Sequence, residues 1–314
     1  MDSLHNKHLV IFGCGYVGSA LARAAMEAGA QVTALTRNPE KAAALGAEGV
    51  RDVVVGELSS TDWHGRIAPA ADFVVNCVSS GGGGLEGYRR SYVGGMKSIL
   101  HWAAMRAQSV GTFVYTSSTS VYPQGDGAVV DESATPLANV AGGGALVEAE
   151  NLLRSASTEV RRRWFVLRLA GIYGPGRHLL LDQLRAGADV LPGTGHNRLN
   201  LVHRDDVVAT ILECLAAPAG VANEIFNVSD GQPATKREVV DWLAQQLGRA
   251  VPVFDGIQPP SARRGGEPVP DRIISNAHLR ASLNLRPRFP SFREGYRALL
   301  DARQESPGSR SQRE

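Results

Sequence analysis

Five short apolar runs punctuate the first 120 residues: His8–Phe12 (HLVIF), Gln31–Leu35 (QVTAL), Val50–Val55 (VRDVVV), Asp72–Cys77 (DFVVNC) and Gly111–Tyr115 (GTFVY). Near-continuous hydrophobicity of this kind is what a strand buried on both faces requires. Between most of these runs the apolar residues recur at helical spacing, notably over Val17–Ala28 and Leu85–Gln108. Another helical stretch, Ala145–Ser155, leads into a sixth apolar run, Trp164–Leu169 (WFVLRL). Strands alternating with helices predict an α/β fold, a parallel sheet with helices on both faces.

Beyond residue 170 the pattern loosens. Asp206–Ala216 has helical spacing, and Glu224–Val228 (EIFNV) reads as a strand returning to the sheet. Thr235-Lys-Arg-Glu238 is a capping box that opens a helix to about Leu247, with Gly248 as its stop. From Val251 to Pro290 the chain is rich in proline, glycine and arginine, which predicts irregular structure over the carboxyl edge of the sheet, where open α/β folds bind ligands. The expected division is a dinucleotide-binding domain over 1–170, rejoined by strands near 200 and 226. A smaller, mainly substrate-binding part follows over 171–300, and a polar, disordered tail over 302–314.

One motif gives this layout a chemical purpose. Gly13-Cys-Gly15-Tyr-Val-Gly18 follows the first strand and opens the first helix. Gly13 permits the tight turn, Gly15 lets backbone approach a pyrophosphate, and Gly18 lets helix and strand pack closely. The helix amides that follow, at Tyr16 and Val17, then face the phosphates with partial positive charge. A glycine-rich turn without a ligand is the alternative, and the correct placing of both strands and the helix argues against it. At the end of the second strand stand Thr36 and Arg37, where sites for NAD place a carboxylate on the ribose 2′-hydroxyl. A neutral and a cationic residue there favour NADP(H) over NAD(H), with Arg37 on the adenine or the 2′-phosphate. Glu57 follows the third strand and is placed to meet the adenine amino group.

Composition narrows the partners. A net charge of +2 offers no basic stripe for nucleic acid or for acidic membranes. No apolar run reaches membrane-spanning length. Three scattered cysteines, Cys14, Cys77 and Cys214, have neither metal-ligand spacing nor a disulfide framework, which fits a reducing cytosol and a cytoplasmic protein. The only lysines are Lys7, Lys41, Lys97 and Lys236.

Further motifs, in order, resemble those of the extended short-chain dehydrogenase/reductases, the NAD-dependent epimerase/dehydratase family. Tyr92-Val-Gly-Gly-Met-Lys97 is similar to the family's helix before the fifth strand. Val114-Tyr-Thr-Ser-Ser-Thr-Ser-Val-Tyr-Pro123 is similar to its "SSxxVYG" segment, and Arg168-Leu-Ala-Gly-Ile-Tyr-Gly-Pro-Gly176 to its "LRxxxxYGPG". Asn200-Leu-Val-His-Arg-Asp-Asp206 and Phe226-Asn-Val-Ser resemble "xxVHVDD" and "YNV". The resemblance spans roughly residues 9–299. It implies a Rossmann-type doubly wound sheet with a smaller C-terminal substrate domain, hydride transfer with a nicotinamide cofactor, and substrates that are commonly nucleotide-linked sugars. It also implies a homodimer through the helices at 85–108 and 145–155. The family's catalytic serine falls on Ser118, and its Tyr-x-x-x-Lys pair belongs on the following helix, where the lysine lowers the tyrosine's pKa.

That pair is missing. Anchored on Glu150-Asn-Leu-Leu153, which resembles the family's "ExLL", the tyrosine position is Gly142 and the lysine position is Leu146. Sliding the register does not help, because no tyrosine occurs between Tyr122 and Tyr173 and no lysine between Lys97 and Lys236. The glycine loop departs too, with Phe12 at the first glycine of the family's G-x-x-G-x-x-G. Replacement candidates are Tyr122, four residues beyond Ser118, and Glu148 or Glu150 on the helix. Arg177, His203 and Arg272, with Arg263 and Arg264 nearby, are candidates to bind an anionic substrate; His203 also suits a helix N-cap, and His178 and His196 suit surface or core roles. Two functions follow: an NAD(P)-dependent oxidoreductase or epimerase-like enzyme on a small anionic compound, or a non-catalytic dinucleotide-binding sensor.

Overall fold

Along β1 (His8–Phe12), Leu9 and Ile11 are buried in one core and Val10 and Phe12 in another. This double burial explains why the strand is apolar at every position, and it places β1 at the centre of a sheet. The structure is a computed structural model and describes residues 4–67, 71–80, 82–105, 110–137, 141–158, 160–261, 264 and 266–304. Numbering only the strands of the central sheet, β2 is Gln31–Thr36, β3 Asp52–Val55, β4 Phe73–Asn76, β5 Val110–Ser118, β6 Arg161–Leu169 and β7 Glu224–Val228. Their order is β7-β6-β5-β4-β1-β2-β3, and every pairing is parallel.

Helices Tyr16–Glu27 and Arg204–Ala216 cover one face, their Leu21, Ala25, Val207 and Ile211 packing on Leu9 and Ile11. The other face carries helices Gly95–Ala104 and Ala141–Ser155, with Met96, Ile99, Trp102 and Leu153 against Val10 and Phe12. The strand order reverses between β1 and β4, which leaves a crevice at their carboxyl ends.

The strand near residue 200 does not rejoin this sheet as expected. Leu201–His203 pairs in parallel with Gly171–Tyr173, just past the end of β6. The edge of β6 is taken by β7 over Phe165–Leu169, so Leu201–His203 extends the surface beyond the sheet. A separate core of Tyr173, Leu184, Val240, Leu243, Phe292 and Tyr296 underlies this second region. The helix Phe292–Gln304 places Phe292, Tyr296 and Leu299 on one buried face. Residues 302–304 therefore end a helix and are no tail, and 305–314 lie outside the described residues. The capping box forms as expected: Thr235 Oγ1 accepts from the Glu238 N–H, and the Glu238 carboxylate accepts from the Thr235 N–H. No described helix is long and apolar enough to cross a membrane.

Candidate active site

Two lobes of one cleft open at the crevice and share Gly15, Cys77, Val78 and Ser79. The first, about 170 Å³, is walled by Gly13, Thr36, Arg37, Lys41 and Glu57. Gly13 adopts φ +88°, and a Cβ there would stand 2.7 Å from the Val78 backbone. A Cβ on Gly18 would lie 2.4 Å from the Gly13 carbonyl oxygen, so the helix reaches the strand only because that side chain is absent. Gly15 has nothing within 4 Å of its Cβ position and faces the open cleft. No side chain caps the helix at Gly15, and its first turn holds no acidic residue. Its amides and dipole are therefore left for an anion. The loop fits a dinucleotide pyrophosphate on each of these counts.

At the far wall, Arg37 Nη1 lies 3.7 Å from Glu57 Oε2, an exposed and loose pair. Asn38 Oδ1 accepts the Lys41 N–H and caps the helix Pro39–Ala47. That cap turns Lys41 into the same lobe, giving two cations against one carboxylate. Sequence reading missed Lys41, although Asn38-Pro39 is a recognisable helix start that would have placed it on the first turn.

The second lobe, about 280 Å³, is lined by Tyr16, Tyr92, Ser117, Ser118, Leu146 and Arg177, among others. Ser118 stands at the end of β5 and its Oγ accepts from the Ser120 N–H at 3.2 Å, which leaves the hydroxyl hydrogen for the cleft. Leu146 occupies the wall from the helix, so the lysine position faces the lobe with an apolar side chain. Arg177 is exposed and lies 5.5 Å over the Tyr16 ring, with Arg204 at 5.3 Å from the same ring. Arg204 bonds Asp205, whereas no carboxylate pairs with Arg177 among the described residues.

Behind this lobe lies a closed polar network. Ser117 Oγ donates to Glu150 Oε1 at 2.6 Å, and Arg168 donates to both Glu150 oxygens at 3.2 and 2.7 Å. Arg168 Nη1 also donates to the Tyr122 hydroxyl at 2.8 Å, which in turn donates to Asn227 Oδ1 at 2.9 Å. Tyr122 is fully buried and does not line either lobe, so the expectation that it replaces the missing acid fails: its hydroxyl is fixed by two other partners. Burial raises its pKa further. Glu150 is held by Arg168, and Glu148 pairs with Arg89 on the surface.

Two more expected ligands for the substrate are structural. His203 is 2% exposed; its Nδ1 accepts the Asp205 N–H as a helix N-cap, and its ring packs on Phe289 at 3.9 Å. Burial lowers its pKa to about 4, leaving it neutral. Arg272 is buried too, and donates to the carbonyls of Thr119, Tyr122 and Gln124. Desolvation lowers it to about 10, and its role is to tie the chain after β5 to the C-terminal region. Arg264 Nη1 reaches the same Tyr122 carbonyl, and Arg263 lies outside the described residues. His178 pairs with Asp182, and His196 is exposed. Burial pushes the Cys14 thiol up to about 12 and Cys77 higher still, so neither offers a thiolate to the cleft. Among the described residues no group of three or more His, Cys, Asp or Glu is arranged to hold a metal ion.

The model of the NAD dependent epimerase/dehydratase family matches residues 9–229, most of the chain. The chain belongs to that family. It is 29% identical over 260 residues to the 2-alkyl-3-oxoalkanoate reductase of Stenotrophomonas maltophilia, covering 77% of this chain and 76% of that one. It is 28% identical to protein YeeZ of Escherichia coli K12 over 291 residues, 90% and 97% of the two chains. A DesIV double mutant from Streptomyces venezuelae, a dTDP-glucose 4,6-dehydratase solved with NAD, superposes with TM-score 0.78. That match covers 95% of this chain and 97% of that one at 23% identity, and it speaks to the fold. This is an enzyme family, and its members depend on a nicotinamide dinucleotide.

Proposed function

We propose that the protein is an NADP(H)-preferring reductase or epimerase-like enzyme that acts on a small, anionic carbonyl or hydroxyl compound. The observation that carries this reading is the second lobe. There the Ser118 hydroxyl hydrogen and Arg177, which pairs with no carboxylate among the described residues, share one wall system with the glycine loop. The bound dinucleotide supplies or accepts hydride at its nicotinamide. Ser118 hydrogen-bonds the substrate oxygen, and Arg177 takes its carboxylate or phosphate as a bidentate partner. Gly13, Gly15 and Gly18, with the Tyr16 and Val17 amides, hold the pyrophosphate. Thr36, Arg37 and Lys41 would hold the 2′-phosphate, and Glu57 would meet the adenine amino group. An oxoalkanoate, the substrate in the name of the Stenotrophomonas relative, combines a ketone with a carboxylate and suits such a lobe. The nucleotide-linked sugar in the name of the Streptomyces structure would present a phosphate instead.

The loss of tyrosine and lysine at positions 142 and 146 favours a second reading, a dinucleotide-binding sensor without turnover. Both readings require the cofactor. Parallel calorimetric titrations with NADPH and NADH test them together, and Arg37→Ala is expected to weaken NADPH binding about tenfold while leaving NADH nearly unchanged. Equal losses would remove the NADP preference, and no binding of either cofactor by the parent would remove both readings. Turnover of a 3-oxoalkanoate panel then separates enzyme from sensor. Three free cysteines support a cytosolic setting. The exposed Leu85 and Met105 support a homodimer through their helices, which sedimentation tests.

A further inference from the structure

Hydride addition to a carbonyl leaves an alkoxide that needs a proton, and the position where the family resemblance places the donor carries Gly142. The chain has seven tyrosines, and their placement is decisive. Tyr173 and Tyr296 stack on each other at 4.9 Å in the C-terminal core. Tyr122 is fixed by Arg168 and Asn227, and Tyr115 is fully buried within the sheet. Tyr88 packs edge-on against Tyr92 and lines neither lobe. Two remain in the wall of the second lobe, Tyr16 and Tyr92. The Tyr16 ring faces the lobe, but its hydroxyl is buried, 2.9 Å from the position a Gly174 Cβ would take.

Tyr92 differs. It lies in a π-helical turn, Arg89–Gly94, inserted between two α-helical segments. Such turns are rare and re-aim side chains, often at functional sites. Its phenol oxygen accepts the Ser80 N–H at 3.1 Å, on the loop that follows β4 and lines the shared part of the cleft. The bond fixes the oxygen and leaves its hydrogen to be donated. Ser118, on the same lobe, is arranged alike: oxygen held by a backbone N–H, hydrogen free. The residue is 7% exposed, and the Tyr88 ring packs against it at 5.5 Å, so the phenol is held in one pose.

On the reductase reading above, we infer that Tyr92 is the proton donor of this enzyme, replacing the tyrosine lost at position 142. The substrate carbonyl carbon takes hydride from the reduced nicotinamide, and the π pair moves onto oxygen. That oxygen takes the proton of Tyr92 as the phenol O–H bond breaks. The Ser80 N–H stabilises the phenolate, which recovers a proton from water. Oxidation runs the same steps in reverse.

Tyr92→Phe keeps the ring and removes only the hydroxyl. Its turnover is expected to fall about 100-fold, with the dissociation constants for NADPH and NADH within about twofold of the parent. Independently of activity, a fluorotyrosine at position 92 reports contact with the nicotinamide end, and its 19F resonance is expected to move when NADP+ alone is added. A resonance that does not move, or turnover of Tyr92→Phe within about threefold of the parent, overturns the assignment. If the parent binds the dinucleotide but reduces no member of the carbonyl panel, the reductase reading itself falls and the donor role falls with it.

Discussion

The two lobes of the cleft were built under different constraints. In the first lobe the glycine loop makes its close contacts through backbone atoms: glycine against strand, helix amide against open space. The second lobe is lined from seven separate stretches, 15–17, 77–79, 92, 116–118, 146, 169–172 and 177, and its polar groups are side chains. A backbone site of this kind tolerates little substitution at Gly13 and Gly18, where an added Cβ meets main chain. A side-chain site can lose one group and recruit another from a neighbouring element. That contrast suits a loop in which Gly13 and Gly18 leave no room for a Cβ, beside a helix that carries Gly142 and Leu146 where the resemblance places tyrosine and lysine.

The largest effect is expected where backbone meets backbone. Gly18→Ala puts a methyl group 2.4 Å from the Gly13 carbonyl and must open the loop; dinucleotide affinity should fall more than about 100-fold. Gly15→Ala is the sterically open comparison, since nothing lies within 4 Å of its Cβ, but its φ of −84° with ψ of −142° lies outside the regions alanine favours. That variant should lose binding by about tenfold, because its methyl group occupies ligand space, with a small drop in melting temperature from those backbone angles. If Gly18→Ala binds as tightly as the parent, the lobe is not a pyrophosphate site.

The second lobe rests on a different support, and its failure should appear as stability. Glu150→Ala leaves Arg168, 3% exposed, with no carboxylate. A buried ion pair broken from one side costs about 3–5 kcal/mol. Glu148→Ala, two residues along the same helix, removes a surface pair with Arg89 and should change stability by under about 1 kcal/mol. Urea unfolding of both variants measures the difference. Equal, small changes would mean that the network behind Ser117 is not what fixes that wall.

The same contrast decides what was legible in the sequence. Strand and helix periods are local, so all seven strands of the central sheet and the glycine loop could be read from spacing alone. The absence of a tyrosine at 142 and of a lysine at 146 needed only a register anchored on Glu150-Asn-Leu-Leu153. What spacing does not encode is which distant surface covers a side chain. Arg272 read as a ligand because an arginine in an irregular region is usually accessible, and His203 because its motif ends near the presumed cleft. Phe289 and the carbonyls of Thr119, Tyr122 and Gln124 buried them. Tyr92 escaped notice for the converse reason: a straight helix through residues 85–108 would not have turned it to the cleft, and the π turn has no simple sequence signature. The segment 201–203 read as a sheet strand because its competitor for the edge of β6 lies two dozen residues later.

An effect that vanishes at the acid end provides the baseline for any pH profile of the second lobe. Asp230 is buried near Asp206 and Glu294, with Tyr173 beside it, and its Oδ1 accepts the Gln232 N–H. Burial first, then the neighbouring carboxylates, raise its pKa from 3.8 to about 7. Between those values the unfolded chain releases the proton while the folded protein keeps it. Stability therefore falls as pH rises through that window and levels off above it. Asp230→Asn retains the acceptor for Gln232 and cannot ionise. Its stability relative to the parent should be near zero at the acid end and grow to on the order of 4 kcal/mol at neutral pH, since the separation is about three units and each is worth about 1.4 kcal/mol. Thermal melts of the two proteins across that range measure the gap. A constant gap would show that Asp230 keeps an ordinary carboxylate pKa in the fold, and a loss of turnover over the same window could then be assigned to groups in the second lobe and not to loosening of the scaffold beneath it.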